Sequence, residues 1–141
     1  MTQIQWFLLP LFLHVALIVW VGTRSVRARI ASVRGGKTKI GDIALNSSAW
    51  PDEVLKFGNN FNNQFELPTI WYAVSAFILI TAKLDWICIG LSWAFLVARI
   101  AHSAVHTGSN NVPVRMRVFL ASVFAVVAIW VWLAIRTFVI G

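Results

Sequence analysis

Two groups of side chains in this sequence have the types and spacings of a binding site for an anionic ligand. Asn59, Asn63 and Glu66 recur at i, i+4 and i+7, one face of a helix, and Asn62 also stands four before Glu66. Arg99, His102 and His106 recur at i, i+3 and i+7, again one face. Arg115 and Arg117 follow shortly after and add positive charge at the rim. Amides, a carboxylate, imidazoles and guanidiniums converging in one place would make a pocket for a charged small molecule. Glu66 and Arg99 are expected to neutralise each other, because a lone charge left in lipid is costly. The competing interpretation is a polar clamp that only holds helices together. A clamp needs a pair of residues, and this constellation is larger.

The elements that must position these groups are apolar helices. A helix crosses the hydrocarbon core with about twenty residues, and four stretches qualify. They run over about 4–22, 62–82, 86–106 and 114–140, with a long cytoplasmic loop at 23–61. The second and third are joined by only a few residues, so they are antiparallel neighbours. Both polar faces then fall at the same membrane boundary and can meet. Open strands are excluded at this depth because lipid offers no partner for an unpaired amide. Pro68 is expected to kink the start of the second span or to lie in its first turn. The second half of the loop (Trp50, Val54, Leu55, Phe57, Phe61) is apolar enough to lie along the bilayer surface, or else serves as a solvated linker with a few anchors.

Composition supports the membrane. Apolar residues make up 59% and charged residues 12% of 141 positions, and mean hydropathy is +0.76. A soluble domain is about one quarter charged. The formal charge of +7 would raise nucleic acid as a partner in a soluble protein. Here the cations cluster between the first two spans, where a topology signal facing anionic headgroups explains them, and no nucleic-acid partner is expected. Arg24, Arg27, Arg29, Arg34, Lys37, Lys39 and Lys56 lie there, and Arg115 and Arg117 lie on the same side; only Lys83 and Arg136 lie opposite. Both termini are therefore expected to face away from the cytoplasm.

Other reactive residue types read more plainly. Cys88 is the only cysteine and sits in an apolar run, a small buried hydrophobe. His14, mid-span, reads as an inter-helix hydrogen-bonding group. His102 and His106 are spaced to share a metal, but no third ligand is obvious and no metal site is expected. A four-helix multidrug exporter would carry a membrane-embedded glutamate in its first span, and this span has none.

The stretch Phe61-Asn62-Asn63-Gln64-Phe65-Glu66-Leu67-Pro68 resembles the second-helix signature of the MAPEG family, the membrane-associated proteins in eicosanoid and glutathione metabolism. The stretch from Arg99 through His102 and His106 to Arg115 resembles that family's third-helix signature. The similarity covers essentially the whole chain and looks most like the bacterial branch. It implies an all-α, integral membrane four-helix bundle assembled as a homotrimer, in the bacterial inner membrane or an equivalent one. It also implies glutathione as co-substrate, bound between neighbours near the cytoplasmic face. By resemblance, Asn63 and Glu66 match the amide and carboxylate that hold the tripeptide, Arg99 the arginine on its charged groups, and Arg115 the arginine that stabilises the thiolate. Where the mammalian enzymes carry an arginine four before Asn63, this chain has Asn59; where they often carry tyrosine, it has His106.

The resemblance brings a mechanism with it. A thiol with a pKa near 8.5 is only a few per cent ionised at neutral pH, and the thiolate is the nucleophile. Lowering that pKa by about two units takes roughly 2.7 kcal/mol, within reach of one guanidinium at a low-dielectric boundary. Arg115 is the expected catalytic residue, with Arg117 second. Lipophilic electrophiles would enter sideways from the membrane lipids. The expected function is thus a glutathione-dependent transferase or peroxidase; the alternative is a non-catalytic lipid-binding or scaffolding protein of the same fold.

Overall fold

The computed structural model describes residues 1–140, so the single membrane domain expected over the whole chain ends one residue beyond the described part. All regular structure among the described residues is helical. The first helix, α1 (Gln3–Arg34), opens on a capping box in which Thr2 accepts from the Gln5 amide and the Gln5 side chain accepts from the Thr2 amide. It does not stop at Gly22. Half of Thr23–Arg34 is arginine or alanine, good helix formers, and the helix ends only where Gly35 and Gly36 follow, Gly36 at φ +69°. At 1.5 Å per residue α1 is about 48 Å long, some 18 Å more than the hydrocarbon core needs. The long loop expected from residue 23 is therefore helical in its first third, and Arg24, Arg27, Arg29 and Arg34 stand on a rigid rod.

The connection continues through a single turn, α2 (Ile40–Ile43), and a 3-10 turn at Ser47–Ala49 to α3 (Asp52–Asn62). This second half lies against the α1 extension: Arg24 stacks over Trp20 and Phe57, and Arg29 over Trp50. Gly22 allows the approach, since a Cβ there would stand 2.9 Å from the Phe61 ring.

The helix expected to start at Asn62 and cross the membrane is broken. The chain turns at Asn63–Glu66, and α4 (Leu67–Ile80) begins afresh. Pro68 is the cause. Inside a continuous helix its ring would collide with the carbonyl of residue 64; in the first turn of a new one it is tolerated.

A tight turn with Ala82 at φ +53° leads to α5 (Trp86–Thr107), whose N-cap Asp85 accepts from the Cys88 amide. A second turn leads to α6 (Val112–Phe138), capped by Asn111 with Pro113 in its first turn. Helices α1, α5 and α6 are each long and apolar enough to cross a membrane; α4, of 14 residues, is about 21 Å long. Phe7 of α1, Trp71, Val74 and Ile78 of α4, Cys88 and Phe95 of α5, and Val126 and Ile129 of α6 form the apolar core. Cys88 is a buried free thiol, packed as a hydrophobe.

Candidate functional site

At one end of this core the packing turns polar. The break before α4, the C-terminal half of α5 and the N-terminal turns of α6 enclose an open cleft of about 320 Å³. Asn59, Asn63, His102, His106 and Arg115 line it, with Met116 and Phe119 as an apolar wall. Four of the residues singled out by spacing, Asn59, Asn63, His102 and His106, are thus brought together with the rim cation Arg115. The i, i+3/i+4 arithmetic holds as far as Asn63 because α3 and its closing turn keep helical geometry; the Asn63 amide still bonds the Asn59 carbonyl at 3.0 Å.

Arg99 sits one layer behind this wall. It is fully buried, and its Nη2 donates to the Asn63 carbonyl at 2.7 Å, fastening the broken α3–α4 segment to α5. Its Nε and Nη1 are buried with no partner. The expected pairing with Glu66 does not form. Among the described residues the only ion pair is Asp85 with Arg136, at 4.0 Å, at the opposite end of the molecule. Glu66 lies in the break at φ −84°, ψ −93°, so the helical register that aligned it with Asn63 has lapsed one turn earlier, and its side chain is exposed. Arg117 is exposed and outside the cleft, on the other side of α6 from Arg115 and Phe119.

The remaining imidazoles and cations have defined partners or defined vacancies. The carbonyl of Arg115 can only accept, so His102 donates to it from Nδ1 at 3.3 Å. His102 Nε2 is then a buried acceptor without a donor, and His106 Nδ1 is likewise unpartnered. The two rings meet edge to face, 5.5 Å apart. Arg115 donates from Nη1 to the side-chain oxygen of Asn110 at 2.7 Å and has no carboxylate against it. No three His, Cys, Asp or Glu side chains converge among the described residues.

Spacing alone missed a second layer. Asn60 of α3 and Gln64 of the turn after it, also i and i+4, are buried. Gln64 donates to Asn60 and to Ser103, which lies four residues after Arg99. The Gln64 oxygen faces Arg99 Nη2 at 3.4 Å and His14 Nε2 at 3.2 Å, and His14 Nδ1 faces the Tyr72 hydroxyl at 2.8 Å. His14 is thus the inter-helix hydrogen-bonding group expected of it, and it leads straight to Arg99. The sequence signal was present in Asn59-Asn60 and Asn63-Gln64, two polar stripes on adjacent faces of which only one was followed.

Against known proteins, the MAPEG family model matches residues 7–135, nearly the whole chain and all of the site. No curated protein and no solved structure gives a match.

Proposed function

Since the chain belongs to the MAPEG family, we propose that it is a membrane-bound, glutathione-dependent transferase or peroxidase that conjugates or reduces lipophilic electrophiles. One observation supports this above the others. A fully buried arginine with two unpartnered nitrogens and, among the described residues, no carboxylate within 4 Å lies one hydrogen bond behind a cleft walled by Asn59, Asn63, His102, His106 and Arg115. Such a cation is expensive to keep unless an anion completes it, and glutathione is an anionic tripeptide. The family and three apolar helices fit an integral membrane protein, which gives the cleft lipid on its flank.

In this reading Arg115 holds the glutathione sulfur as thiolate, and Arg117 strengthens the field from outside. The Met116–Phe119 wall receives the apolar electrophile arriving from the bilayer. Helix α4, lengthened by the turns at its ends, makes a fourth crossing and completes a four-helix bundle. Three copies form a homotrimer, and glutathione held between neighbours gives the exposed Glu66 something to bind. The cations on and after the α1 extension set both termini away from the cytoplasm, in a membrane of the bacterial inner type. The test is ultraviolet difference absorbance of the thiolate on adding glutathione. Wild type should show a saturable band and Arg115→Ala should lose it while the assembly keeps its size; an unchanged band in Arg115→Ala would remove Arg115 from the mechanism.

The exposure of Glu66 and the neutral Asn59 favour a second reading, a non-catalytic lipid-binding or scaffolding protein. There, Arg99→Ala would change lipid retention or assembly with no turnover to lose.

A further inference from the structure

The hydrogen-bond pattern around Gln64 is directional, and chemistry alone fixes its sense. A guanidinium can only donate, so the Gln64 atom facing Arg99 Nη2 is the oxygen. Its amide nitrogen is then turned to the Asn60 carbonyl, the Asn60 side-chain oxygen at 3.2 Å and Ser103 at 2.9 Å, all able to accept. The same oxygen must accept from His14 Nε2, and His14 Nδ1 meets the Tyr72 hydroxyl, which can serve either as donor or as acceptor. Gln64, Asn60 and Ser103 carry no charge, and each orients the next. Gln64 is the junction: it touches α1 through His14, α5 through Ser103 and Arg99, and α3 through Asn60.

We propose that Gln64, locked by His14, Asn60 and Ser103, is the positioning residue of the site: beside the Asn63 carbonyl at 2.7 Å it gives Arg99 Nη2 a second neutral oxygen at 3.4 Å, so the guanidinium is fixed in place with no carboxylate paired to it and its charge is open to an anion in the cleft. A glutamate at this position would fix Arg99 equally well but cancel its charge, and an apolar residue would leave the charge held by the Asn63 carbonyl alone. A neutral amide adds the second hold and keeps the charge. The inference rests on the proposed function for the identity of the anion, but not for the geometry.

The test is a double-mutant cycle on glutathione affinity by calorimetry, using wild type, Gln64→Met, Arg99→Met and the double variant. Gln64→Met should weaken binding by roughly tenfold or more, the scale of one charge-assisted bond. Because Gln64 acts through Arg99, the double variant should bind no more weakly than Arg99→Met alone. Losses that multiply would overturn the proposal, since a merely structural glutamine weakens both backgrounds alike. Gln64→Glu, the same size, serves if Gln64→Met does not assemble; Asn60 can turn its unpartnered amide nitrogen towards the new carboxylate. It should lose affinity by a similar factor with melting undiminished, and full affinity in Gln64→Glu counts against the proposal. A second readout needs no glutathione. The Arg99 Nε–H signal in a nitrogen-15 spectrum of detergent-solubilised protein should exchange slowly in wild type and markedly faster in Gln64→Met. If wild type binds no glutathione, the proposed function fails and this signal alone decides; exchange unaltered by Gln64→Met refutes the positioning role.

Discussion

Arg99 decides the energetics of the site, because a guanidinium keeps its proton in a protein and this one is buried with no carboxylate of the described residues within ion-pairing distance. A methionine of similar length would fill the same volume without that penalty. Arg99→Met should therefore leave stability unchanged or raise it, by up to about 1–4 kcal/mol, while ligand binding falls. Thermal melting of the empty protein checks this; a drop of several degrees would mean that the bond to the Asn63 carbonyl outweighs the buried charge. Glu66 gives the contrast. Exposed and unpaired within the chain, it should tolerate Glu66→Gln within about 0.5 kcal/mol in a dissociated subunit, and a larger loss there would show that it has a partner within its own chain. Asn59, Asn63, His102 and His106 could be grouped from sequence because two helical stretches obey the 3.6-residue period. Glu66 was misplaced because the period was carried through Pro68's break. The Asn60–Gln64 stripe went unread because an amide shows no charge mismatch to explain.

Among the elements, the junction between α1 and α3 sets where Asn59 and Asn63 stand. Two glycines there have opposite physical roles. Gly22 faces the Phe61 ring, and a side chain would push α3 off α1. Gly22→Leu should cost about 1–3 kcal/mol by overpacking. Gly58 lies inside α3 and meets only the end of the Arg29 side chain, at 3.3 Å. There Gly58→Ala should stabilise by roughly 0.5–1 kcal/mol through helix propensity. Denaturant titration of both variants tests the pair, and equal effects would mean that α3 is not seated against α1 as described. That the chain consists of apolar helices was legible from composition and run lengths. The α1 extension was not, because a search for hydrophobic spans stops at the first arginine whether or not the helix does. Nor was the shortness of α4, since hydropathy does not register a backbone break.

Over the whole molecule, the two ends are built differently. The end opposite the cleft is closed by Asp85, which caps α5 through Cys88, accepts from the Trp132 indole at 2.8 Å and faces Arg136. Burial disfavours its charge, but the Cys88 amide, the Trp132 indole and Arg136 outweigh that and hold the carboxyl below the ordinary aspartate range. A lowered folded-state value means stability present above the unfolded pKa and lost as pH falls through the folded one. Melting temperature should therefore decline below about pH 4, and Asp85→Asn should flatten that decline; an identical acid profile in Asp85→Asn would detach this cluster from stability. The cleft end is lined instead by amides, imidazoles and Arg115, and the claim that their partner is glutathione can be met head on. Native mass spectrometry of the wild-type protein with millimolar glutathione should show a trimer carrying the tripeptide, with occupancy that saturates. A protein that stays free of glutathione throughout the titration would contradict the account.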